Sequence, residues 1–298
     1  MMRVLLTGAT GYIGSAVAEA LRAAGHEVTG LARSEEAARG LQERGFGVRR
    51  GDLKEPGSLS EAAREFDAVI HTASTNDRDA PEADRATVEA ILQSLEGTNK
   101  PFIYTSGVWV YGDTGARVAD EESPLDPTPL VTWRPANERL VLDAARRGVR
   151  AIVIRPAIVY GRGGGIPASL VQAARQKGLV RFVGTGSNRW PQVHVDDLAN
   201  LYVRALDAAP PATILNAASG PSLRVLDVAE AASRAGGAAG RTESWPLEEA
   251  RTHLGPYADA LALDQQVSGE KAKKLLGWTP QSVSMLEDLE HGSYLRAD

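Results

Sequence analysis

Arg3-Val4-Leu5-Leu6-Thr7-Gly8-Ala9-Thr10-Gly11-Tyr12-Ile13-Gly14 is the stretch that decides the fold. Arg3 to Thr7 is an apolar β run, and Tyr12 to Ala24 has helical periodicity. Between them three glycines stand at G-x-x-G-x-x-G spacing. Gly8 permits the tight turn, Gly11 lets a pyrophosphate approach the backbone, and Gly14 lets the helix pack closely on the sheet. The free N–H groups at the start of the helix and the helix dipole then face the phosphates. Gly8, Thr10, Gly11, Tyr12, Ile13 and Gly14 are the expected phosphate-end residues.

Working outward, short apolar runs alternate with amphipathic stretches. Strands are expected at Glu27–Ala32, Phe46–Arg49, Ala68–Thr72, Pro101–Ser106 and Ala151–Arg155, with helices between them. The runs are rich in Val, Ile and Leu without polar alternation, as in strands buried on both faces. The βαβα order implies an α/β fold, a doubly wound parallel sheet of the Rossmann type. It is expected to occupy residues 1–160, with residues 190–220 returning to it through a helix at Asp196–Asp207 and a strand at Ile214–Ala217. A smaller, discontinuous C-terminal substrate lobe is expected from residues 161–189 and 221–298. Gly161–Gly165 and Gly236–Gly240 read as flexible breaks.

The second strand ends in Arg33-Ser34, where a site preferring NAD usually places a carboxylate for the ribose 2′-hydroxyl. A guanidinium and a hydroxyl suit a 2′-phosphate, so NADP is expected over NAD. Asp52-Leu53, after the third strand, places a carboxylate near the adenine, although Asp52 equally suits a helix cap. Composition removes other chemistries. The 298 residues include no cysteine, so disulfides, thiolate nucleophiles and thiolate metal sites are excluded. No two of the five histidines stand at ligand spacing, and no metal is expected. A net charge of −5 argues against nucleic acid. No apolar run suits a membrane helix, and the N-terminal segment turns polar too early for a signal peptide, so a cytoplasmic location is expected.

With these pieces the chain resembles the short-chain dehydrogenase/reductase superfamily, in its extended, epimerase/dehydratase-like branch and that branch's atypical relatives. His71-Thr72-Ala73-Ser74 is similar to the segment lining the cofactor cleft, and Tyr104 to Gly112 (YTSGVWVYG) to the serine strand. Arg155 to Gly161 (RPAIVYG) resembles the segment beside the nicotinamide. Val193 to Ala199 resembles a segment leading into a helix, and Lys271 to Pro280 a C-terminal signature. The resemblance implies cofactor contacts from Thr72, Ala73, Ser74, Thr105, Pro156 and Ile158.

The family's chemistry uses a serine, a tyrosine and a lysine, the last two four residues apart on one helix face. The corresponding helix reads Leu130-Val131-Thr132-Trp133-Arg134-Pro135-Ala136-Asn137-Glu138. Either Trp133 and Asn137 or, anchored on Glu138, Leu130 and Arg134 take the paired positions. Neither choice supplies a phenol. Arg134 suits holding a ribose or stabilising an oxyanion, but it does not act as a base. The serine position holds Gly107, with Ser106 beside it. The catalytic candidates are therefore Ser106, Tyr111, Trp133 and Arg134, with Tyr111, Tyr160 or a water as relocated proton donor. Trp109, Tyr160, Trp190 and His194 are the substrate-side candidates, and the aromatic set favours an apolar or aromatic small molecule. His194 also reads as a structural residue, and Asp196 as the cap of the helix it begins. Arg162, Arg181 and Arg189 are candidate phosphate contacts or solvated side chains. Three functions follow: an NADP-dependent reductase or dehydrogenase of a small carbonyl or imine, a sugar-nucleotide epimerase or dehydratase, and a non-catalytic NADP-binding sensor or accessory protein. A monomer or a homodimer is expected.

Overall fold

The computed structural model describes residues 1–295. Its centre is a seven-stranded sheet in which every pairing is parallel. The first strand, β1 (Arg3–Thr7), is followed by α1 (Tyr12–Ala23), β2 (Glu27–Ala32), α2 (Glu35–Glu43), β3 (Gly47–Arg50) and α3 (Pro56–Glu65). Then come β4 (Ala68–His71), α4 (Ala80–Leu95), β5 (Pro101–Thr105) and α5 (Arg134–Asp143). Across the sheet the order is Thr213–Ala217, Arg150–Pro156, β5, β4, β1, β2, β3. The chain winds outward from β1 through β2 to β3, then resumes at β4 on the other side of β1. The C-terminal ends of β1 and β4 therefore flank the switch point where such sheets bind ligands.

Both faces of the sheet are covered, because each strand sends alternate residues into separate apolar clusters. Val4 and Leu6 enter one cluster and Leu5 the other; Ile103 and its neighbours Phe102 and Tyr104 divide in the same way. On the first face α1 packs with the helix Val195–Ala208. On the second lie α3, α4 and α5. A third cluster gathers Val171, Phe182, Trp190, Val228, Met285 and Leu289, outside the sheet.

The expected strands and helices stand within a few residues of their places. The strand Thr213–Ala217 joins the sheet edge beside Arg150–Pro156, and the helix Val195–Ala208 precedes it. The strand Ile158–Gly161 runs parallel to Gln192–His194, across the expected boundary at residue 160. The last three residues of the expected lobe, 296–298, lie outside the described residues.

The two glycine runs are a correction, since both are tied down. The Gly161 N–H donates to the Tyr294 hydroxyl at 2.7 Å, and that hydroxyl donates to the Gly164 carbonyl at 2.7 Å. The Gly163 N–H reaches Ser293 Oγ at 2.8 Å. A Cβ on Gly164 would stand 2.3 Å from the Tyr12 ring, and one on Gly236 would stand 2.4 Å from Ala174 Cβ. At Gly164 and Gly236 glycine is required by close approach, so at these positions the sequence signal that reads as flexibility marks tight packing. Among the described residues no helix is long and apolar enough to cross a membrane.

Candidate active site

At the end of β1 the chain turns through Gly8, whose φ of 74° is left-handed. The Gly11 N–H donates to the Gly8 carbonyl at 2.8 Å. A Cβ on Gly14 would lie 2.1 Å from the Gly8 oxygen, and one on Gly8 would lie 2.8 Å from the Ala73 backbone nitrogen. The loop is thus pressed against both its own helix and the segment after β4. No side chain caps α1, whereas Ser34 Oγ caps α2 by accepting the Ala37 N–H at 3.1 Å. The first-turn N–H groups of α1 are left for an outside acceptor at the positive end of the helix dipole. This cradle fits a pyrophosphate held by the backbone of Gly8–Gly14. The Tyr12 side chain turns away from that role. Its hydroxyl donates to the Gly161 carbonyl at 2.7 Å, and burial raises its pKa.

Arg33 and Ser34 follow β2 directly, at the same edge of the sheet as the glycine loop. Arg33 is exposed and has no carboxylate partner among the described residues. The nearby Arg50 pairs with Glu35, and Arg49 with Glu65 at 3.1 Å. Asp52 Oδ1 accepts the Lys54 N–H at 3.0 Å, so this carboxylate shapes its own loop rather than capping α3. Leu53 contributes packing to the second core, and its carbonyl accepts the Thr87 hydroxyl at 3.3 Å.

Beside the loop opens a cavity of about 830 Å³. Ile13, Thr72, Ala73, Ser74, Thr105, Pro156 and Ile158 line it on the side nearest the sheet, together with Ser106 and Gly107. The opposite walls carry Trp109, Leu130, Val131, Trp133, Ile166 and Pro256. Arg134 enters this apolar space. Its guanidinium donates to the Thr105 carbonyl at 2.8 Å and stacks 4.6 Å from the centre of the Trp133 ring. Ser106 is held in register by its N–H on the Ile154 carbonyl at 2.8 Å, and its buried Oγ has no partner. No tyrosine, histidine or lysine is among the lining residues.

Two buried polar networks hold this wall. In the first, Asp84 of α4 accepts Tyr104 and Asn137 at 2.7 Å each on Oδ2 and meets His71 Nε2 at 3.0 Å on Oδ1. His71 Nδ1 lies 2.7 Å from Thr7 Oγ1, next to the glycine loop. Burial pushes the Asp84 pKa upward, but the His71 hydrogen bond and charge, with Arg134, outweigh it and hold the carboxyl below its ordinary value. In the second, Arg155 Nε donates to Glu138 Oε1 at 2.9 Å with both side chains buried, and Arg155 also donates to the Tyr111 hydroxyl at 2.6 Å.

These networks correct several expectations. Tyr111 is fully buried; its hydroxyl donates to Asn216 Oδ1 at 2.8 Å, and burial pushes its pKa up to about 12 against the pull of Arg155. It does not reach the cavity. The Tyr160 hydroxyl donates to the Val283 carbonyl, and Trp190 Nε1 to the Leu261 carbonyl at 3.1 Å, both inside the third core. His194 caps the helix Val195–Ala208 by accepting the Asp196 N–H at 3.2 Å, so the cap is His194 rather than Asp196. Arg162 pairs with Glu19 and Asp196, Arg181 with Glu243, and Arg189 with Asp264. Asn137, one of the paired-position candidates, is committed to Asp84. Of the catalytic and substrate-side candidates, the cavity gathers Ser106, Trp109, Trp133 and Arg134, and leaves out Tyr111, Tyr160, Trp190 and His194. Val131, Ile166 and Pro256 carry no site signal in the sequence, and Leu130 enters there only as an alternative occupant of a paired position. A short 3₁₀ turn and long-range packing bring them there, and neither leaves a local signal.

Residues 4–218 match the model of the NAD dependent epimerase/dehydratase family. A 34% identical relative, the uncharacterized protein C2A9.02 of Schizosaccharomyces pombe, aligns over 98% of this chain and 100% of its own length. The 4-hydroxy-2-methyl-3-oxo-4-farnesyl-3,4-dihydroquinoline-1-oxide ketoreductase of Stigmatella aurantiaca is 27% identical over 93% of this chain and 92% of its own. Among solved structures, UDP-glucuronic acid 4-epimerase of Bacillus cereus, in complex with UDP-glucuronic acid and NAD, superposes with a TM-score of 0.82. That match covers 98% of each chain at 20% identity, a likeness of fold.

Proposed function

This chain belongs to the NAD dependent epimerase/dehydratase family, and from that premise we propose that it is an NADP-dependent oxidoreductase acting on a small, apolar carbonyl compound. The observation that carries the reading is the cavity itself. Its lining is continuous from Ile13 and Thr72–Ser74, beside the phosphate loop, to the indoles of Trp109 and Trp133. A bound dinucleotide would supply hydride there. The chain's own residues bind and position. The backbone of Gly8–Gly14 holds the pyrophosphate, and Arg33 with Ser34 takes the 2′-phosphate. The apolar walls exclude water and orient a flat or branched carbonyl compound.

The reaction proceeds without the Tyr–Lys pair. Leu130 and Arg134 both line the cavity, whereas Asn137 of the other alignment is buried on Asp84, which favours the alignment with Leu130 and Arg134 at the paired positions. Arg134 then binds and orients but keeps its proton. The name of the 27% identical ketoreductase, a farnesylated quinoline ketone reductase, agrees with an apolar substrate. The walls from Leu130, Val131 and Ile166 favour an apolar substrate over a hexose, whose hydroxyls find no partner on them.

The test is thermal. Saturating NADPH is expected to raise the melting temperature more than NADH does, and Arg33→Asp to reverse that order. Equal shifts from the two cofactors would remove the NADP assignment, and no shift from either would remove the oxidoreductase.

A further inference from the structure

Arg134 and Arg78 are the two arginines lining the cavity, and both lie apart from any carboxylate partner among the described residues. Arg155, Arg162 and Arg189 each pair with a carboxylate, whereas Arg134 has no carboxylate within ion-pair distance among the described residues. One contact of its five-donor fork is made, to the Thr105 carbonyl. The rest of a half-buried cation faces an apolar cavity, an arrangement that favours an incoming anion. Trp133 stacks on the guanidinium, and Trp109 lines the same space with its ring set edge-on to Tyr257 at 6.0 Å. Neither of these two indole N–H groups donates to a protein acceptor among the described residues, so two further donors are open.

The cavity also lacks an acid. Its ionisable lining residues are Asp77, Arg78 and Arg134. The Thr75 hydroxyl, with Lys54, lowers the pKa of Asp77, so it is a carboxylate near neutrality. The arginines do not release a proton. Thr72 Oγ1 donates to the Thr7 carbonyl, and Thr105 Oγ1 is 2.6 Å from the hydroxyl of Tyr202, whose pKa burial raises. An isolated alkoxide, whose conjugate acid is about as weak as water, needs a proton as it forms. A phenolate, with a conjugate acid near about 10 or lower, is stable enough to be held by charge alone.

We propose that Arg134 and the indoles of Trp109 and Trp133 form a binding site for a flat, conjugated ligand carrying a delocalised oxyanion of the phenolate kind. This rests on the reading above that the cavity receives the substrate, and it names quinones as the substrate class. A quinone accepting a hydride, two electrons and a proton, from the reduced nicotinamide becomes a hydroquinone monoanion. Water supplies the second proton, and the oxidised dinucleotide is the other product. The monoanion's charge falls on an oxygen that Arg134 is placed to hold, and no side-chain acid takes part.

The probe is 4-nitrophenol, whose phenol and phenolate forms absorb at different wavelengths, titrated with the full chain in the absence of dinucleotide. Bound probe is expected to ionise about one pH unit or more below free probe, a tenfold enrichment of phenolate at fixed pH. Arg134→Gln should abolish that displacement, and Arg134→Lys, which keeps the charge without the fork, should retain part of it. Where Arg134→Gln fails to fold, wild type and Arg134→Lys decide. Absence of binding at millimolar probe, ionisation at or above the free value, or a displacement that survives Arg134→Gln overturns the proposal. With no dinucleotide present, failure here leaves the NADPH melting test standing, and failure of that test leaves this result standing.

Discussion

Gly14 and Gly107 stand at the two ends of one cleft and answer opposite demands. A Cβ on Gly14 would lie 2.1 Å from the Gly8 carbonyl oxygen and 2.7 Å from Thr72 Oγ1. A Cβ on Gly107 would meet nothing nearer than the Pro156 oxygen at 3.9 Å, and its φ of 176° is extended backbone open to any residue. The phosphate end is therefore set by backbone contact, where only one residue type fits. The chemical end is set by side chains around an open space, where residue types are free to change while the wall stays. A fold that keeps its dinucleotide cradle while exchanging the groups facing the substrate is the physical consequence.

The sharpest way to break this contrast is Gly14→Ala. The added methyl meets backbone, so about 1–3 kcal/mol of stability should be lost. The rise in melting temperature with NADPH should disappear. A variant that keeps the full NADPH shift would show that the loop tolerates what its geometry forbids.

Asp84 joins the two ends, reaching His71 and Thr7 on one side and Tyr104 and Asn137 on the other. Asp84→Asn should cost about 1.5–3 kcal/mol at pH 7, the range for hydrogen bonds to a charged group. The sign of its pH dependence follows from a folded pKa held below the unfolded one. The carboxylate's contribution is complete above about pH 4, and it is lost as pH falls through the folded value. In urea denaturation the gap between wild type and variant should narrow below about pH 4. A gap constant down to pH 3 would place the effect elsewhere than in the charge.

The smallest effect is expected from Gly107→Ser. The new side chain has room and ordinary backbone angles, so stability should change by no more than about 0.5 kcal/mol, as read in the same denaturation assay. A loss of more than about 2 kcal/mol would mean that the chemical end is as sterically fixed as the phosphate end.

The same contrast explains what the sequence discloses. Gly8, Gly11 and Gly14 are legible because the turn dictates both residue type and spacing. The strands are legible because Val, Ile and Leu runs must be buried on two faces. Tyr111, Tyr160 and Trp190 mislead because an aromatic ring serves a core and a binding wall equally well; a partner such as Asn216, distant in sequence, decides between them. His194 admits two readings in the sequence, since an imidazole nitrogen caps a helix as readily as it moves a proton, and the structure bears out the structural one. Arg134 is legible as a cation near the chemistry, but its lack of a carboxylate partner emerges only from three-dimensional packing.

The most direct test of the account follows the nicotinamide absorbance of NADPH. The wild-type chain is mixed with apolar ketones, imines and quinones. Substrate-dependent loss of the NADPH band is expected, strongest for flat, conjugated compounds. Silence across the whole panel, with NADPH still raising the melting temperature, would contradict catalysis and leave a dinucleotide-binding sensor in its place.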